Sequence, residues 1–191
     1  MPMNVTLSEI QAGGMHEPKA EWTQKAIENL HSATEKYADQ HGLRLEQIDP
    51  AKLDKRDPDF VKMRQMHTVV ANTIHRHSRL MTIPTKVEKP YWTLGSYPQK
   101  LKELTKADYG LYLHFSDSFA SKGRMLVMFA AAAAGVSVHG GQQMAAASMI
   151  DLNTGQVVWH DRLHKAHGDL RDPFYAGQSV QELMDSINFA P

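Results

Sequence analysis

The 191-residue chain contains no cysteine, which removes disulfides, thiolate catalysis, iron–sulfur clusters and cysteine zinc sites from consideration. It has no net charge, since 21 basic and 21 acidic side chains cancel. No long-range field therefore draws it onto nucleic acid or anionic lipid, and only local basic patches remain. It also lacks an apolar run long enough to span a bilayer. The greasiest stretch, Met125–Val138 within GRMLVMFAAAAAGVSVHGG (123–141), reaches about 21 Å as a helix, against about 30 Å of hydrocarbon. The glycine signatures of phosphate loops and dinucleotide folds are missing, and so is the Gly-x-Ser-x-Gly elbow. Met1-Pro2-Met3-Asn4 has neither the basic start nor the apolar run of a secretory leader. A chain that begins almost inside its first strand is expected to have been trimmed of one.

What is present is ordinary for a folded protein: 42% apolar and 22% charged residues, in a length suited to one domain with a sizeable core. Eleven histidines make the charge sensitive to mild acid. Val5–Ile10 reads as an imperfect strand ended by Gly13-Gly14. Trp22, Ala26, Leu30, Ala33 and Tyr37 then make one apolar stripe on a helix from Pro18 to Gly42. Leu43, Leu45 and Gln47 suggest a short strand. Asp57-Pro58 opens a second helix with Phe60, Met63, His67, Val70 and Ile74 as its stripe. Met81–Val87 is a strand candidate interrupted at Pro84, and Ser96 with Gln99 resembles a capping box before a helix at 98–106.

Asp108–Ser116 reads as a strand with Tyr109, Leu111, Leu113 and Phe115 on one face and Tyr112 and His114 on the other. The strongest local signal is AAASMIDLNTGQVVWHDRL (145–163), two apolar runs around Asn153 and Gly155, a β-hairpin in which His160 ends the second strand. Ser179-x-x-Glu182 resembles a capping box opening a closing helix through Leu183, Met184 and Ile187. Helices between separated strands imply crossovers onto a mixed sheet. The expectation is a single α/β domain over residues 1–191 with an apolar Gly/Ala-rich insert at about 123–141.

Glu21-Trp22 at a helix start, Ala107-Asp108 opening a strand, and the Asp151–Trp159 hairpin word Asp-Leu-x-Thr-Gly-x-Val-x-Trp, in that order, carry a resemblance. The chain resembles a family of small bacterial lipoproteins of unassigned function. That family is similar in fold to the periplasmic part of the curli-secretion lipoprotein, the outer-membrane activator lipoproteins of peptidoglycan synthases, and the amino-terminal domain of the Tol-system propeller protein. The resemblance spans residues 5–189. It implies a mixed-sheet sandwich of the anticodon-binding-like type, a periplasmic location with tethering to the outer membrane, and protein–protein contact within the envelope. It brings no catalytic residues. The family's lipidated cysteine would precede Met3, so membrane contact is expected through an anchor this chain lacks.

Three readings of the greasy segment stay open. It is a buried helix, Arg124–Ala134, packed on the sheet; an exposed apolar surface closed by another subunit or an envelope partner; or bilayer-inserted strands of an oligomeric barrel. The buried helix is the default for so apolar a segment, but the helices at 18–40 and 58–77 already offer two apolar stripes for the two faces of a sheet, from which the second reading gains. Met125, Leu126, Phe129, Val136 and Val138 are then the interface candidates.

Other chemistry is weaker. His160, His164 and His167, with Asp161 and Asp169, are weak metal candidates, because a strand end at His160 breaks the helical spacing they need. His75 and His77, two apart on a helix, do not face each other. Ser116, Ser118 and Ser121 near Asp117 have no evident base. Gly140-Gly141-Gln142-Gln143 lacks a phosphate-loop context. Lys62, Arg64, Arg76 and Arg79 are interspersed with Asp57 and Asp59 and read as solvated faces. The expected protein is thus a non-enzymatic envelope accessory protein without cofactor or nucleic-acid partner, associating with itself or an envelope protein. The alternatives are a hydrolase using strand-end Ser/His residues and a metal- or small-ligand-binding module.

Overall fold

The computed structural model describes residues 3–48, 58–79, 82–88, 90–166 and 168–187. The elements run β1 (Asn4–Ile10), β2 (His16–Pro18), α1 (Ala20–Gln40), α2 (Pro58–Arg79), a 3-10 turn (Pro84–Lys86), α3 (Gln99–Thr105), β3 (Tyr109–Ala120), α4 (Lys122–Ala133), β4 (Gln143–Asp151), β5 (Val157–Lys165) and α5 (Pro173–Met184). The strands bond in the order β2-β1-β3-β4-β5. β1 runs antiparallel to β2 and parallel to β3. The architecture is therefore mixed α/β, with an open mixed sheet and a C-terminal helix. Among the described residues no helix is long and apolar enough to cross a membrane.

Two compact units can be distinguished. The first comprises residues 46–113 and 147–161. Its core is Met63, Leu94, Leu101, Tyr112, Ile150, Leu152 and Val157, with Phe60, Val70 and Ile74 packed against it, so the predicted stripe of α2 is the face that is used. The β4–β5 turn forms as its residues dictate. The Asp151 carboxylate accepts from the backbone N–H of Asn153 (2.7 Å) and Thr154 (3.3 Å). Gly155 adopts φ 73°, and a Cβ there would overlap the Gly95 carbonyl, so only glycine fits.

The second unit comprises residues 3–45, 114–146 and 162–187 of the described chain. α1 packs along α5. α1 buries Ala26, Leu30 and Tyr37, while α5 buries Ala176, Val180, Leu183 and Met184. Two long-range bonds hold α1 to this part of the chain: Asn29 Nδ2 donates to the Leu170 carbonyl, in the loop before α5 (3.0 Å), and the Tyr37 hydroxyl donates to the Met184 carbonyl at the end of α5 (2.9 Å).

Several expectations need correction. Residues 43–48 form no strand, and Pro84–Lys86 turn as 3-10 where a strand was expected; Met81 lies outside the described residues. β2 was not foreseen. The Ser96/Gln99 box does not form, because Pro98 occupies the cap position and Gln99 Nε2 instead reaches the Asn153 carbonyl (3.0 Å). The closing helix starts well before Ser179: Asp172 caps it by accepting from Phe174 N–H (2.8 Å), with Pro173 in its first turn. The Asp-Pro pair expected to open α2, whose Asp57 lies outside the described residues, recurs there. α2 belongs to the first unit, so the helix that accompanies α1 is α5.

Candidate functional site

α4 departs furthest from what its composition suggests. None of its residues is buried, although Lys122 and Arg124 are its only charged side chains. Leu126 is 71% exposed and Phe129 74% exposed, and Met125, Val127 and Val136 are also exposed; Val138 is half-buried. Apolar residues all round leave the helix no polar side to turn to water. Of the three readings, burial of Arg124–Ala134 on the sheet is therefore overturned. The segment is a helix, not a pair of strands, up to Ala133. Ser121 caps it by accepting from Arg124 N–H (3.1 Å), which makes this serine a helix start.

A cleft of 260 Å³ opens beside the first turn of α4, lined by Ile10, Gly14, His16, Ser118, Arg124, His139, Gly141 and Gln142. Ser118 is thus near two histidines, but its hydroxyl is spent on Gln142: it donates to the Gln142 carbonyl (3.2 Å) and accepts from Gln142 N–H (3.0 Å). Neither imidazole is bonded to it, so the arrangement lacks the serine–base contact that nucleophilic catalysis needs. Gly141, at φ 150°, lies so close to the Ser118 carbonyl that a Cβ would overlap it. The Gly-Gly step serves this backbone approach. Gln143, by contrast, is buried, donates to Ser179 Oγ (2.8 Å), and its Oε1 has no hydrogen-bond partner among the described residues.

Asp117 faces away from the cleft. It is 4% exposed, with its two oxygens accepting from Ser118 N–H (2.9 Å) and Leu170 N–H (3.2 Å). Burial pushes its carboxyl up to about 7, against the opposing pull of those two backbone donors. Nearby, Arg171 grips Asp169 through Nε (2.8 Å) and Nη2 (2.7 Å). Its guanidinium lies 4.4 Å from the Trp22 ring centre and 4.1 Å from that of Phe119, within cation–π range of both rings.

In the first unit a cluster unseen in the sequence appears. Ser148 Oγ stands 2.9 Å from His67 Nε2 and 2.8 Å from His160 Nδ1. The hydroxyl has one proton, so at least one of these ring nitrogens donates to it. His67 also stacks on Tyr112 at 4.2 Å, whose buried phenol is pushed up by burial. Ser148 is 1% exposed, out of reach of a substrate, and the cluster ties α2 to β4 and β5. The only sequence clue was His67 within an otherwise apolar stripe.

β5 runs to Lys165, so His160 sits mid-strand and does not end it. His160 and His164 share a face of this strand four residues apart, about 13 Å, and His164 Nε2 meets Gln142 Oε1 (3.2 Å). His167 lies outside the described residues. Among the described residues no three His, Asp or Glu side chains are placed to hold a metal. His77 accepts from Ile83 N–H (2.9 Å). Lys62, Arg64 and Arg76 are exposed; the Arg79 side chain is outside the described set.

No family model matches the chain, and no curated protein matches it. Among solved structures it is similar to the lipoprotein GNA1162 from Neisseria meningitidis. That likeness has 12% identity and a TM-score of 0.35, covering 97% of this chain and 98% of that one. At that level it fixes neither family nor function.

Proposed function

We propose that this chain is a non-enzymatic accessory protein of the bacterial cell envelope that works by protein–protein association. α4 and the loop after it would meet a second copy of the chain or an envelope protein partner through Met125, Leu126, Phe129, Val136 and Val138. The single supporting observation is the exposure of α4, with Leu126 and Phe129 each more than 70% in solvent. Covering such side chains recovers about 1.5–3 kcal/mol apiece, a contiguous incentive that scattered surface leucines do not offer.

The envelope setting comes from the sequence resemblance carried by Glu21-Trp22, Ala107-Asp108 and the Asp151–Trp159 hairpin. On that reading the fold is of the anticodon-binding type and the full-length protein is periplasmic and held at the outer membrane by a lipidated cysteine. The hydrolase alternative loses its support at Ser118, whose hydroxyl is occupied by Gln142. A small-ligand role keeps one observation in its favour, the cleft at the start of α4.

Light scattering over a concentration series tests the association. The wild-type chain is expected to gain mass with concentration at high as well as low salt. The double variant Leu126→Ser/Phe129→Ser is expected to stay monomeric with its thermal midpoint retained. A wild-type chain that stays monomeric at high concentration, with α4 resistant to exchange and proteolysis, overturns the reading.

A further inference from the structure

We propose that the cleft beside the first turn of α4 is a binding site for a small phosphate-type oxyanion, with Arg124 as its anchoring cation. This inference is independent of the association reading. It begins with the register of the strands. Ile10 pairs with His16, and Ser8 pairs with both Pro18 and Ser118, whereas Glu9 pairs with both Glu17 and Phe119. Paired residues share a face and neighbours along a strand alternate. Ser8, Ile10, His16 and Ser118 therefore line one side, and the nearby carboxylates Glu9 and Glu17 lie on the other. Those two are also engaged, both with Lys19 (3.1 and 2.8 Å). No aspartate or glutamate occurs between Asp117 and Asp151, so the other wall, from Ser118 to Gln142, supplies no negative charge either.

The positive side is built in. Arg124 is half-buried and makes no ion pair among the described residues. Its Nε and Nη2 donate to the His139 carbonyl (3.3 and 3.2 Å), which fixes the guanidinium plane. Nη1 lies over Gly14, 3.6 Å from where a Cβ would be, at a position whose φ of 88° favours glycine. An arginine held at one edge, with Nη1 uncommitted, is preorganised for an oxyanion. His16 is fixed through Nδ1 by Ser8 Oγ (3.0 Å), leaving Nε2 uncommitted among the described residues, and His139 completes the lining. The first turn of α4 contains no acidic residue, so the positive end of its dipole adds to the same potential.

Size decides the class of ligand. Sites for drug-sized molecules and cofactors run from about 300 to 1,000 Å³. At 260 Å³ this cleft accommodates a single phosphate group with water and is too small to enclose a whole nucleotide. The phosphate is either free or the headgroup of a phospholipid.

The test uses the intact chain and inorganic phosphate, followed by amide and arginine side-chain NMR shifts at constant ionic strength against chloride. Saturable shifts are expected at Gly14, Arg124 and Gly141. Arg124→Gln should weaken binding about tenfold, the loss of one charge-assisted contact. His16→Gln, which leaves α4 and the His139 loop untouched, should weaken it less, and Lys25→Gln on α1 should leave it unchanged. A parallel arm measures co-sedimentation with phosphatidylglycerol vesicles. Phosphate shifts without sedimentation identify a soluble ligand, and sedimentation lost in Arg124→Gln identifies a headgroup; either supports the site. Wild-type shifts no larger than chloride produces, with no Arg124-dependent sedimentation, overturn it. So do shifts that both Arg124→Gln and His16→Gln leave intact.

Discussion

α1 and α4 both lie in the second unit and divide its resources in opposite ways. α1 is rich in charge yet buries Ala26, Leu30 and Tyr37, because its apolar residues recur at helical spacing and α5 lies along them. α4 is far more apolar and buries nothing. The difference teaches that covering follows from a stripe with a counterpart, whereas bulk greasiness only raises the cost of staying uncovered. Side, not burial, separates adjacent residues of β3. Asp117 and Ser118 are both buried, at 4% and 7% exposed, but on opposite sides of the strand: Asp117 where Trp22 meets Phe119 at 5.8 Å, Ser118 in the wall of the cleft.

The largest test of this contrast is Leu30→Ala. Leu30 is 0% exposed, and its truncation is expected to cost about 2–5 kcal/mol in urea unfolding. A cost under about 1 kcal/mol would mean the α1–α5 side is loosely packed.

Next comes pH. The Asp117 carboxyl is raised by burial from 3.8 to about 7. Between those values the folded state holds a proton that the unfolded state has released. Stability is therefore expected to fall as pH rises from about 4 to about 7, by up to about 1.4 kcal/mol per pH unit. Asp117→Asn should flatten that slope while giving up one of the two backbone bonds. A slope unchanged in the variant would place the proton elsewhere.

The smallest effect is expected from Leu126→Ala, at 71% exposure. Measured at a concentration too low for association, it should change stability by less than about 0.5 kcal/mol. A loss comparable to that of Leu30→Ala would erase the distinction between the two helices.

Much of the local structure was legible. The stripes of α1 and α2 and the Asn153–Gly155 turn follow from side-chain period and turn chemistry. The start of α5 was equally legible at Asp172-Pro173, but the Ser179/Glu182 box offered a competing start. Ser179 is in fact buried mid-helix, bonded to Gln143. In the candidate site, composition alone leaves burial and exposure of Leu126 and Phe129 both open, and the count of apolar stripes that speaks for exposure names α2 where α5 lies. The cleft was not anticipated, since His16, Arg124 and His139 have no common spacing and converge only through the β1–β2 hairpin and the Gly140-Gly141 bend.

By itself the sequence determined where helices and the β4–β5 hairpin form, because period, capping and turn chemistry are decided by residues a few positions apart. Tertiary structure alone decided which helix covers which and what is left bare. The contacts responsible join residues 147 apart at Tyr37 and Met184, 141 apart at Asn29 and Leu170, and 81 apart at His67 and Ser148. Only chain folding brings such groups within hydrogen-bond reach, and no local pattern encodes which of the available stripes will be partnered.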